Sequence, residues 1–426
     1  MSKIRPAADH TFESHIPVLV IGGGACGLTA ALKAHDAGAE VVVLEREPNL
    51  SGSTAMSSGF IPAAGTRCQR AAGLTEPDKN ALFKKDIQAK SKNTSEPALV
   101  NLAVEAIAPA LDWLEERHGL EWVVLDDFLY PGHVRHRMHT TPEKTGASLI
   151  GRLGNAVEAR GIPVLTSALV TELLVEGDVV EGVTLQRPDG GSEAIGCKTI
   201  VLACNGYGGN RELVKQHIPP MADAPYYGHP GNMGDAILWG EALGAGTRHL
   251  SGCQGHGSLA HPHGILITWA LMMEGGFQVN VAGKRFSNEH SGYSEQSIPV
   301  LQQPEGIAWN IFDQRLYDFA QGFPDFVEAC NAGAVRSADN IAVLADEIGV
   351  PSSALRTTFF EVGTFQQGQA SDPFGRSFTD KPGLDAPYYA VRVTGALFHT
   401  QGGLMIDDTA RVVRKDGSAL PNLFAG

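Results

Sequence analysis

The sequence has few cysteines, no long hydrophobic run and a shortage of basic residues. Six cysteines are scattered over 426 residues without a CxxC or CxxCH motif. This spacing excludes a cysteine-only zinc site, covalent haem and an iron–sulfur cluster, and it indicates free thiols in a reducing compartment. Apolar runs such as residues 18–21 are far too short to cross a bilayer, and residues 1–17 lack the apolar stretch of a secretory signal. We therefore expect a cytoplasmic protein with no membrane span.

The charge balance restricts the kinds of partner. Lys and Arg number 33 against 47 Asp and Glu, which gives a net charge of −14. This argues against nucleic-acid binding, because phosphates need clustered cations. A small anionic molecule stays compatible with it, since a local pocket can be positive in an acidic protein. The length suggests two domains, or one domain with a large insertion, and the 50 glycines indicate many close backbone approaches.

Residues 15–45 have the pattern of a βαβ unit that binds a dinucleotide. A strand, a glycine run, a helix, a second strand and a terminal acid follow in order, at 18–21, 22–27, 28–37, 41–44 and Glu45. A lone GxGxxG motif is weak evidence for a dinucleotide site. The same glycines between a strand and a helix, followed by a second strand and an acidic residue, are specific for one. The alternative is a glycine-rich junction of strand and helix without a ligand.

Each part of the βαβ pattern has a physical role. Gly22 permits the tight turn, Gly24 lets backbone amides approach a pyrophosphate, and Gly27 lets the helix pack closely on the strand. The helix N-terminus directs N–H groups and the positive end of its dipole at the diphosphate. Glu45 follows Gly27 by 18 residues, at a place where a carboxylate can accept bonds from both ribose hydroxyls.

The rest of the chain divides into stretches that differ in composition and hydrophobic pattern. The hydrophobic pattern and the turn residues predict a helix at 97–118, a β-meander at 163–185 and a buried strand at 199–203. They also predict a glycine turn at 205–209 and two closing strands at 388–393 and 423–424. Between them, residues 250–385 are rich in His, Gln, Pro and aromatic residues and have no second βαβ pattern. We therefore predict a first domain over 1–250, an inserted domain over 251–385, and a return to the first domain over 386–426.

Together these segments resemble the flavoprotein family that contains fumarate reductases, urocanate reductases and 3-ketosteroid dehydrogenases. The resemblance covers most of the chain and is carried by motifs in the same order, at 18–45, 51–59, 200–209, 231–245, 283–289 and 399–407. It implies an α/β fold, with a glutathione-reductase-type, Rossmann-like FAD-binding domain and an inserted α+β capping domain. It also implies FAD contacts at Gly22, Gly24, Ala25, Gly27, Glu45, Arg46, Ser53, Thr54, Ser57, Ser58, Gly59, Val170, Ala203, Asn205, Gly206 and Asp235.

Three departures from the family pattern modify these expectations. Ser53 stands where succinate dehydrogenases carry the histidine that bonds to the flavin, so FAD is expected to be non-covalent. Tyr293 stands where soluble fumarate reductases have a proton-donating arginine, whereas ketosteroid dehydrogenases have a tyrosine there. Trp269 and Met272 replace the Glu and Arg that supply that arginine with protons. Relatives continue beyond the strand that ends here at Gly426, so we expect a truncated chain.

The resemblance implies FAD-dependent oxidoreduction of a CH–CH bond beside a carbonyl or carboxylate. We favour desaturation of a ketone, keto acid or oxo-carboxylic acid, with hydride passing to flavin N5 and the proton to Tyr293. His399 and His256 match positions that hold a substrate carboxylate in the fumarate-reductase branch, and they would serve a ketone oxygen equally well. Further substrate contacts are expected at Arg137, His139, Thr268, Thr400 and Gly402. Electrons would leave by a diffusible acceptor or a redox partner protein.

Other interpretations stay open on the sequence alone. One is an enoate reductase of the fumarate or urocanate kind with Tyr293 as proton donor, and another is a non-catalytic flavin- or NAD-binding subunit. Tyr293 could also be a buried tyrosine with a satisfied hydroxyl, and the basic cluster at 133–139 a solvated loop. No metal is expected, because no carboxylate or cysteine is suitably spaced around His256, His261 and His263.

Overall fold

The computed structural model describes residues 3–74, 78–126, 129–130 and 132–426. The chain divides into two compact units. The first unit contains Met1–Tyr207, Gly231–His249 and Gly402–Gly426, and the second contains Gly208–Pro230 and Leu250–Gln401.

This division differs from the predicted one at both ends of the insertion. The second unit takes in residues 208–230 and also the strand Tyr388–Thr400, which the sequence pattern assigns to the first domain. The reason is strand pairing, because Tyr388–Thr400 pairs with Cys253–Ala260 and Ile307–Asp313 in the sheet of the second unit. The predicted return to the first domain at residue 386 is therefore too early.

The first unit is built on a mixed sheet with a parallel centre. In order across the sheet, the strands are Lys3–Pro6, Leu169–Glu176, Val179–Gln186, Ser192–Leu202, Ser14–Ile21, Val41–Leu44 and Val164–Leu165, while Ala419–Ala425 pairs with Ser192–Leu202 and Arg411–Val413 with Ala419–Ala425. Val41–Leu44 is buried at every residue, as a β-branched strand covered on both faces should be. Val164–Leu165, predicted as part of the meander, instead pairs in parallel with Val41–Leu44.

Helices and two small sheets complete the first unit. The helices are Ala25–Asp36, Gly52–Met56, Arg67–Ala71, Asn80–Lys90, Pro97–His118, Gly146–Ala159 and Asp235–Ala242, with a 3₁₀ turn at Ala7–Asp9. The small sheets are Ile61–Pro62, Met138–Thr140 and Val123–Val124, and the pair Thr247–Arg248 with Gly403–Leu404. Ala25–Asp36 starts directly after the glycine turn, so the predicted βαβ unit is present.

Pro97–His118 is long and apolar enough to cross a membrane by length and composition, and no other helix in the described ranges is. A search for uninterrupted apolar runs misses it, because Glu105 and Asp112 interrupt the pattern. Four of its side chains, Val100, Val104, Leu111 and Leu114, are buried in the first unit. A core helix passes the same test, so the finding is weak evidence for a membrane span.

The second unit is an antiparallel sheet covered by short helices. Its strands are Ile265–Leu266, Cys253–Ala260, Tyr388–Thr400, Ile307–Asp313 and Phe277–Val279 in that order, with Val335–Ala338 paired to Tyr388–Thr400. Its helices are Arg211–His217, Ala270–Met273, Ser297–Leu301, Gln314–Ala320, Pro324–Asn331, Ile341–Ile348 and Ser352–Gln366, and its 3₁₀ turns are Pro219–Met221, Glu289–Ser291 and Pro304–Gly306. The long central strand Tyr388–Thr400 holds the sheet together.

Candidate functional site

The glycine turn of the first unit has three glycines with different requirements. Gly22 has φ +110°, and a Cβ there would lie 2.3 Å from the Ala203 carbonyl oxygen. A Cβ on Gly27 would lie 1.9 Å from the Gly22 carbonyl oxygen, so both positions exclude any side chain. A Cβ on Gly24 would meet nothing closer than Thr54 Oγ1 at 3.5 Å, an ordinary contact. The protein itself therefore leaves room above Gly24, at the position assigned to a pyrophosphate.

The segment that follows the second strand is held against the start of the Ala25–Asp36 helix. Thr54 Oγ1 accepts a hydrogen bond from the Ala25 amide at 3.0 Å. The Ser57 hydroxyl donates to the Thr54 carbonyl at 2.7 Å and accepts from the Gly59 amide at 3.0 Å. Ser53 Oγ accepts from the Asn232 side-chain amide at 3.0 Å. These bonds keep short polar side chains beside the helix N-terminus, where an anion is stabilised.

Ser58 is fixed in the same loop through its backbone. Its carbonyl accepts a 3.4 Å hydrogen bond from the Thr140 hydroxyl. Gly146 donates its amide to the Ser57 carbonyl at 2.8 Å, and a Cβ on Gly146 would lie 1.9 Å from the Thr54 carbonyl. The loop thus packs directly on the backbone at the start of the Gly146–Ala159 helix.

Glu45 is buried at the end of the second strand and is fixed by backbone donors. Its Oε2 accepts from the Gly23 amide at 2.7 Å and its Oε1 from the Glu47 amide at 2.8 Å. A carboxylate keeps further lone pairs after two such bonds, so Glu45 can still accept from ribose hydroxyls. The neighbouring Arg46 donates to the Gly231 carbonyl at 2.8 Å.

The third strand of this site ends in a strained turn. The Ala203 amide donates to the Ile21 carbonyl at 2.8 Å, which sets this strand end beside the glycine turn. Asn205 has φ +65°, a left-handed conformation that Asn tolerates, and its side chain accepts from the Gly206 amide at 2.7 Å. The Gly206 carbonyl in turn accepts from the Gly234 amide at 3.0 Å, directly before Asp235 starts its helix.

Val170 completes the predicted set and lies in the core of the first unit, 5% exposed. Its side chain packs in that core, and a contact with FAD stays a prediction. Taken together, an open anion position at a helix N-terminus, a fixed carboxylate at a strand end and a ring of small polar residues fit FAD.

Arg137 and His139, predicted as substrate contacts, are buried in the first unit. The Arg137 guanidinium donates to Asp78 through Nε at 2.9 Å and Nη2 at 2.8 Å, and to Asp86 through Nη1 at 2.5 Å. His139 Nε2 and Thr66 Oγ1 are 2.7 Å apart, and His139 Nδ1 lies 2.9 Å from the Arg137 carbonyl. Both side chains are 0% exposed. These contacts give them a structural role, and substrate contact stays a prediction that these bonds do not support.

In the second unit, strand register brings together a group of polar and aromatic side chains that we name the tyrosine cluster: Gln254, His256, Tyr293, Phe398 and His399. Gln254 lies opposite His399 in the antiparallel pairing of Cys253–Ala260 with Tyr388–Thr400. The Gln254 amide nitrogen donates to the Tyr293 hydroxyl oxygen at 3.1 Å, and its amide oxygen lies 2.8 Å from His399 Nε2. A single glutamine thus connects Tyr293 with His399, two of the three residues predicted to act on the substrate.

The backbone of Tyr293 is tied to the same strand. The Gly257 amide donates to the Tyr293 carbonyl at 2.9 Å, and the Gly255 amide donates to Ser294 Oγ at 3.1 Å. A Cβ on Gly255 would lie 2.2 Å from Ser297 Oγ, and one on Gly257 would lie 2.9 Å from Gln296. The glycines that flank His256 therefore let the Tyr293 segment approach the strand.

His256 lies between two aromatic rings. Its ring is stacked on the rings of Tyr293 and Phe398, with centroid separations of 5.1 and 5.3 Å. The Trp269 ring lies edge-on to it, with 5.8 Å between the centroids. His256 Nδ1 accepts from the Ser258 amide at 3.1 Å, so Nε2 carries the proton of the neutral ring. Burial lowers the pKa of His256 to about 3. His256 is therefore a neutral hydrogen-bond donor at physiological pH.

Burial also lowers the pKa of His399, so this imidazole is favoured in its neutral form as well. Thr400 continues the same strand and pairs with Cys253. The Thr268 hydroxyl accepts from the Ala270 amide at 3.3 Å, at the start of the Ala270–Met273 helix. Gly402 is assigned to the first unit. Of the predicted substrate residues, the structure thus brings His256, Tyr293 and His399 together.

Trp269 and Met272, at the positions of the missing Glu and Arg, are buried at 7% and 0% exposure in the core of the second unit. They bring no charge to the tyrosine cluster. No group of three His, Cys, Asp or Glu side chains within the described ranges is arranged to hold a metal ion.

Two residues of these sites were not predicted, Gln254 and Asn232. Gln254 stands two residues before His256, in the alternation QGHG, which places long side chains between glycines. Its contact with His399 depends on the pairing of strands 145 residues apart, and a single sequence does not contain that register. Asn232 lies in the motif at 231–245, but its bond to Ser53 spans 179 residues.

The chain was compared with known proteins. The profile described as FAD binding domain matches residues 17–425. The chain is 31% identical over 416 residues to a probable fumarate reductase, Ifc3, of Shewanella frigidimarina, and the match covers 96% of this chain and 68% of that protein. It is 26% identical over 524 residues to a 3-oxosteroid 1-dehydrogenase of Mycobacterium tuberculosis, covering 96% and 92%.

Among solved structures, the open conformation of a flavocytochrome c3 fumarate reductase superposes with a TM-score of 0.85 and 29% identity. The superposition covers 98% of this chain and 73% of that one. These similarities confirm the expected α/β flavoprotein fold and FAD as the cofactor of the family, and the relatives are oxidoreductases.

Proposed function

This chain belongs to the FAD binding domain family, and from that premise we propose that it is an FAD-dependent oxidoreductase acting on a CH–CH bond beside a carbonyl group. Desaturation is the favoured direction, with Tyr293 as the residue that accepts the proton. FAD, when bound non-covalently by the glycine turn, Glu45 and the Thr54 loop, supplies the two-electron hydride acceptor.

The observation that carries this proposal is the hydrogen bond from the Gln254 amide to the Tyr293 oxygen. A free phenol ionises near pH 10 and is a weak base at neutral pH. A donor to the phenolic oxygen stabilises the tyrosinate, which is the form that takes a proton from carbon. In the opposite direction, the same hydroxyl would donate the proton to an unsaturated carbon.

The chemistry of the tyrosine cluster favours an uncharged carbonyl as the group that it binds. His256 and His399 are favoured as neutral imidazoles, and Tyr293 stands where soluble fumarate reductases have an arginine. A neutral donor such as the His256 Nε2–H suits a ketone oxygen and the enolate that develops from it, while the Nε2–H of neutral His399 is directed at Gln254. A carboxylate gains most from cationic donors such as arginine, and Tyr293 and the neutral forms of the two histidines are not cationic. We propose a ketone, keto acid or oxo-carboxylic acid whose ketone is the group beside the reacting bond.

A second candidate is reduction of an unsaturated carboxylic acid. It is supported by the 31% identity to a probable fumarate reductase and by the two histidines at carboxylate-binding positions. In both directions, a diffusible acceptor or donor, or a redox partner protein, would exchange electrons with the flavin.

The test starts with the visible absorption spectrum of the purified protein, followed by addition of candidate substrates without oxygen. Bleaching of a yellow protein by a saturated ketone or keto acid supports desaturation. Reoxidation of dithionite-reduced protein by an unsaturated acid, without bleaching by any saturated compound, would favour the second candidate. A colourless protein that takes up no added FAD would contradict both.

Tyr293→Phe should lower the rate of flavin reduction by about 10²–10⁴, the usual contribution of a general acid or base, with FAD content unchanged. Tyr317→Phe is the matched control, because Tyr317 stacks on Tyr389 at 4.6 Å in the same unit and has no assigned role. Full activity in Tyr293→Phe would refute the assignment of Tyr293.

A further inference from the structure

Gln254 contacts both Tyr293, the proposed proton acceptor, and His399. Its amide nitrogen donates to the Tyr293 oxygen at 3.1 Å, and its amide oxygen lies 2.8 Å from His399 Nε2. One planar amide thus donates a hydrogen bond at its nitrogen end and accepts one at its oxygen end. Because the amide oxygen only accepts, His399 must direct an Nε2–H at it, and the amide nitrogen is then directed at the phenol.

The backbone around Gln254 gives this arrangement little freedom. Gln254 is paired with His399 across the sheet. The Tyr293–Ser294 segment is bonded to the next residues of the same strand through the Gly255 and Gly257 amides. Gln254 and His399 therefore start from paired strands and Tyr293 from a turn that is hydrogen-bonded to one of them, and the amide is held at both ends.

We propose that Gln254 is a positioning residue that orients the Tyr293 hydroxyl and fixes the Nε2–H tautomer of His399, and thereby sets the pH at which Tyr293 ionises. The proposal rests on the proposed function for its catalytic consequence, but the hydrogen-bonded arrangement itself does not. Gln254 does not carry the proton, because an amide neither gains nor loses one at these pH values. It acts only through the residues at its two ends.

Two substitutions separate this role from simple packing. Gln254→Leu removes both bonds at nearly constant volume, whereas Gln254→Glu keeps an acceptor for His399 and places a carboxylate beside the phenol. Losing a neutral donor costs about 0.5–1.5 kcal/mol, which corresponds to about 0.4–1 pH unit. The rate of flavin reduction should depend on pH with a limb that reports the ionisation of Tyr293. We expect this limb to move upward by about 0.4–1 pH unit in Gln254→Leu. It should move further in Gln254→Glu, because the new carboxylate repels the negative charge of the tyrosinate.

The upward direction is the same for desaturation and for reduction, since both follow the ionisation of one hydroxyl. For desaturation at a fixed pH below the ionisation of Tyr293, this upward shift lowers the rate of flavin reduction about threefold to tenfold. Gln369→Leu, an exposed glutamine of the same unit, is the matched control and should leave the profile unchanged. FAD content and thermal midpoint, measured for every variant, identify any that fail to fold.

A second readout does not require turnover. Tyrosine labelled with ¹³C at Cζ reports the ionisation of each phenol by NMR, and the Tyr293 signal is identified by its loss in Tyr293→Phe. The signal should titrate at higher pH in Gln254→Leu than in the wild type. If the wild type turns over none of the candidate substrates but this shift is present, the proposed function fails and the positioning role stands. An unchanged Tyr293 titration in both folded Gln254 variants would overturn the positioning role whatever the activity.

Discussion

Replacing Arg137 by Met tests whether this residue supports the fold or binds substrate. The guanidinium is 0% exposed and donates to both oxygens of Asp78 and to one oxygen of Asp86. It also stacks on the Phe83 ring, with 4.8 Å between the guanidinium carbon and the ring centroid. Methionine keeps most of the volume of the stem but leaves two carboxylates without their cation.

The expected loss of stability is large because the charges are buried. Removing one partner of a buried ion pair costs about 3–5 kcal/mol, and here one cation serves two carboxylates, so we expect the upper part of that range. For a domain of this size each kcal/mol lowers the thermal midpoint by about 2–4 °C, which gives a loss of roughly 10 °C.

Thermal unfolding followed by circular dichroism at neutral pH measures this loss. Arg67→Met is the matched control. Arg67 also forms ion pairs, in its case with three carboxylates, but it is exposed, and surface ion pairs contribute little to stability. An Arg137→Met protein with wild-type thermal stability and a strongly raised KM would refute the structural role and restore Arg137 as a substrate contact.

Two further predictions concern the glycine turn and the buried histidine. Gly24→Ala should leave the apoprotein as stable as the wild type but lower its affinity for FAD at least about tenfold, while Gly27→Ala should also destabilise the apoprotein, since its Cβ would lie 1.9 Å from the Gly22 carbonyl oxygen. Flavin absorbance and thermal unfolding of both variants check this, and normal FAD binding by Gly24→Ala would contradict it. Because burial lowers the pKa of His256 to about 3, the stability due to its neutral ring is complete above about pH 6.5 and is lost as the pH falls towards 3, which costs about 2 kcal/mol at pH 5. Urea unfolding at pH 7 and 5 should show a smaller difference for His256→Phe than for the wild type, and equal differences would contradict the assignment.

The parts of the fold that could be predicted are those with local signals. The glycine turn, the Ala25–Asp36 helix and the strand Val41–Leu44 follow each other within one short stretch, and their order is physically specific. The extent of the second unit could not be predicted in the same way. Tyr388–Thr400 has the alternation of a strand but nothing that says which sheet it joins, because its partners at 253–260 and 307–313 are distant in the chain.

The candidate site shows the same division between local and distant information. Glu45 and Thr54 lie in the motifs at 18–45 and 51–59, so their proposed contacts with FAD are predicted from neighbouring residues. Arg137 was expected to contact substrate because of the family resemblance. Its ion-pair partners Asp78 and Asp86 lie 59 and 51 residues away, and a single sequence does not show such a pairing. Gln254 was missed for the converse reason, since glutamine is chemically unremarkable until strand register places it between two functional side chains.

The residues around Tyr293 are consistent with each other as a set without a full positive charge. With tyrosine in place of an arginine, the proposed catalytic group is weakly acidic and needs a donor to favour its ionised form, and the Gln254 amide provides one at 3.1 Å. Trp269 and Met272, where a charged pair would otherwise supply protons, are buried apolar residues, and Trp269 contacts the edge of His256. A cation in that core would need a partner to offset its desolvation. The exchange of arginine for tyrosine therefore agrees with its surroundings, which favour hydrogen bonding to an uncharged carbonyl over ion pairing with a carboxylate.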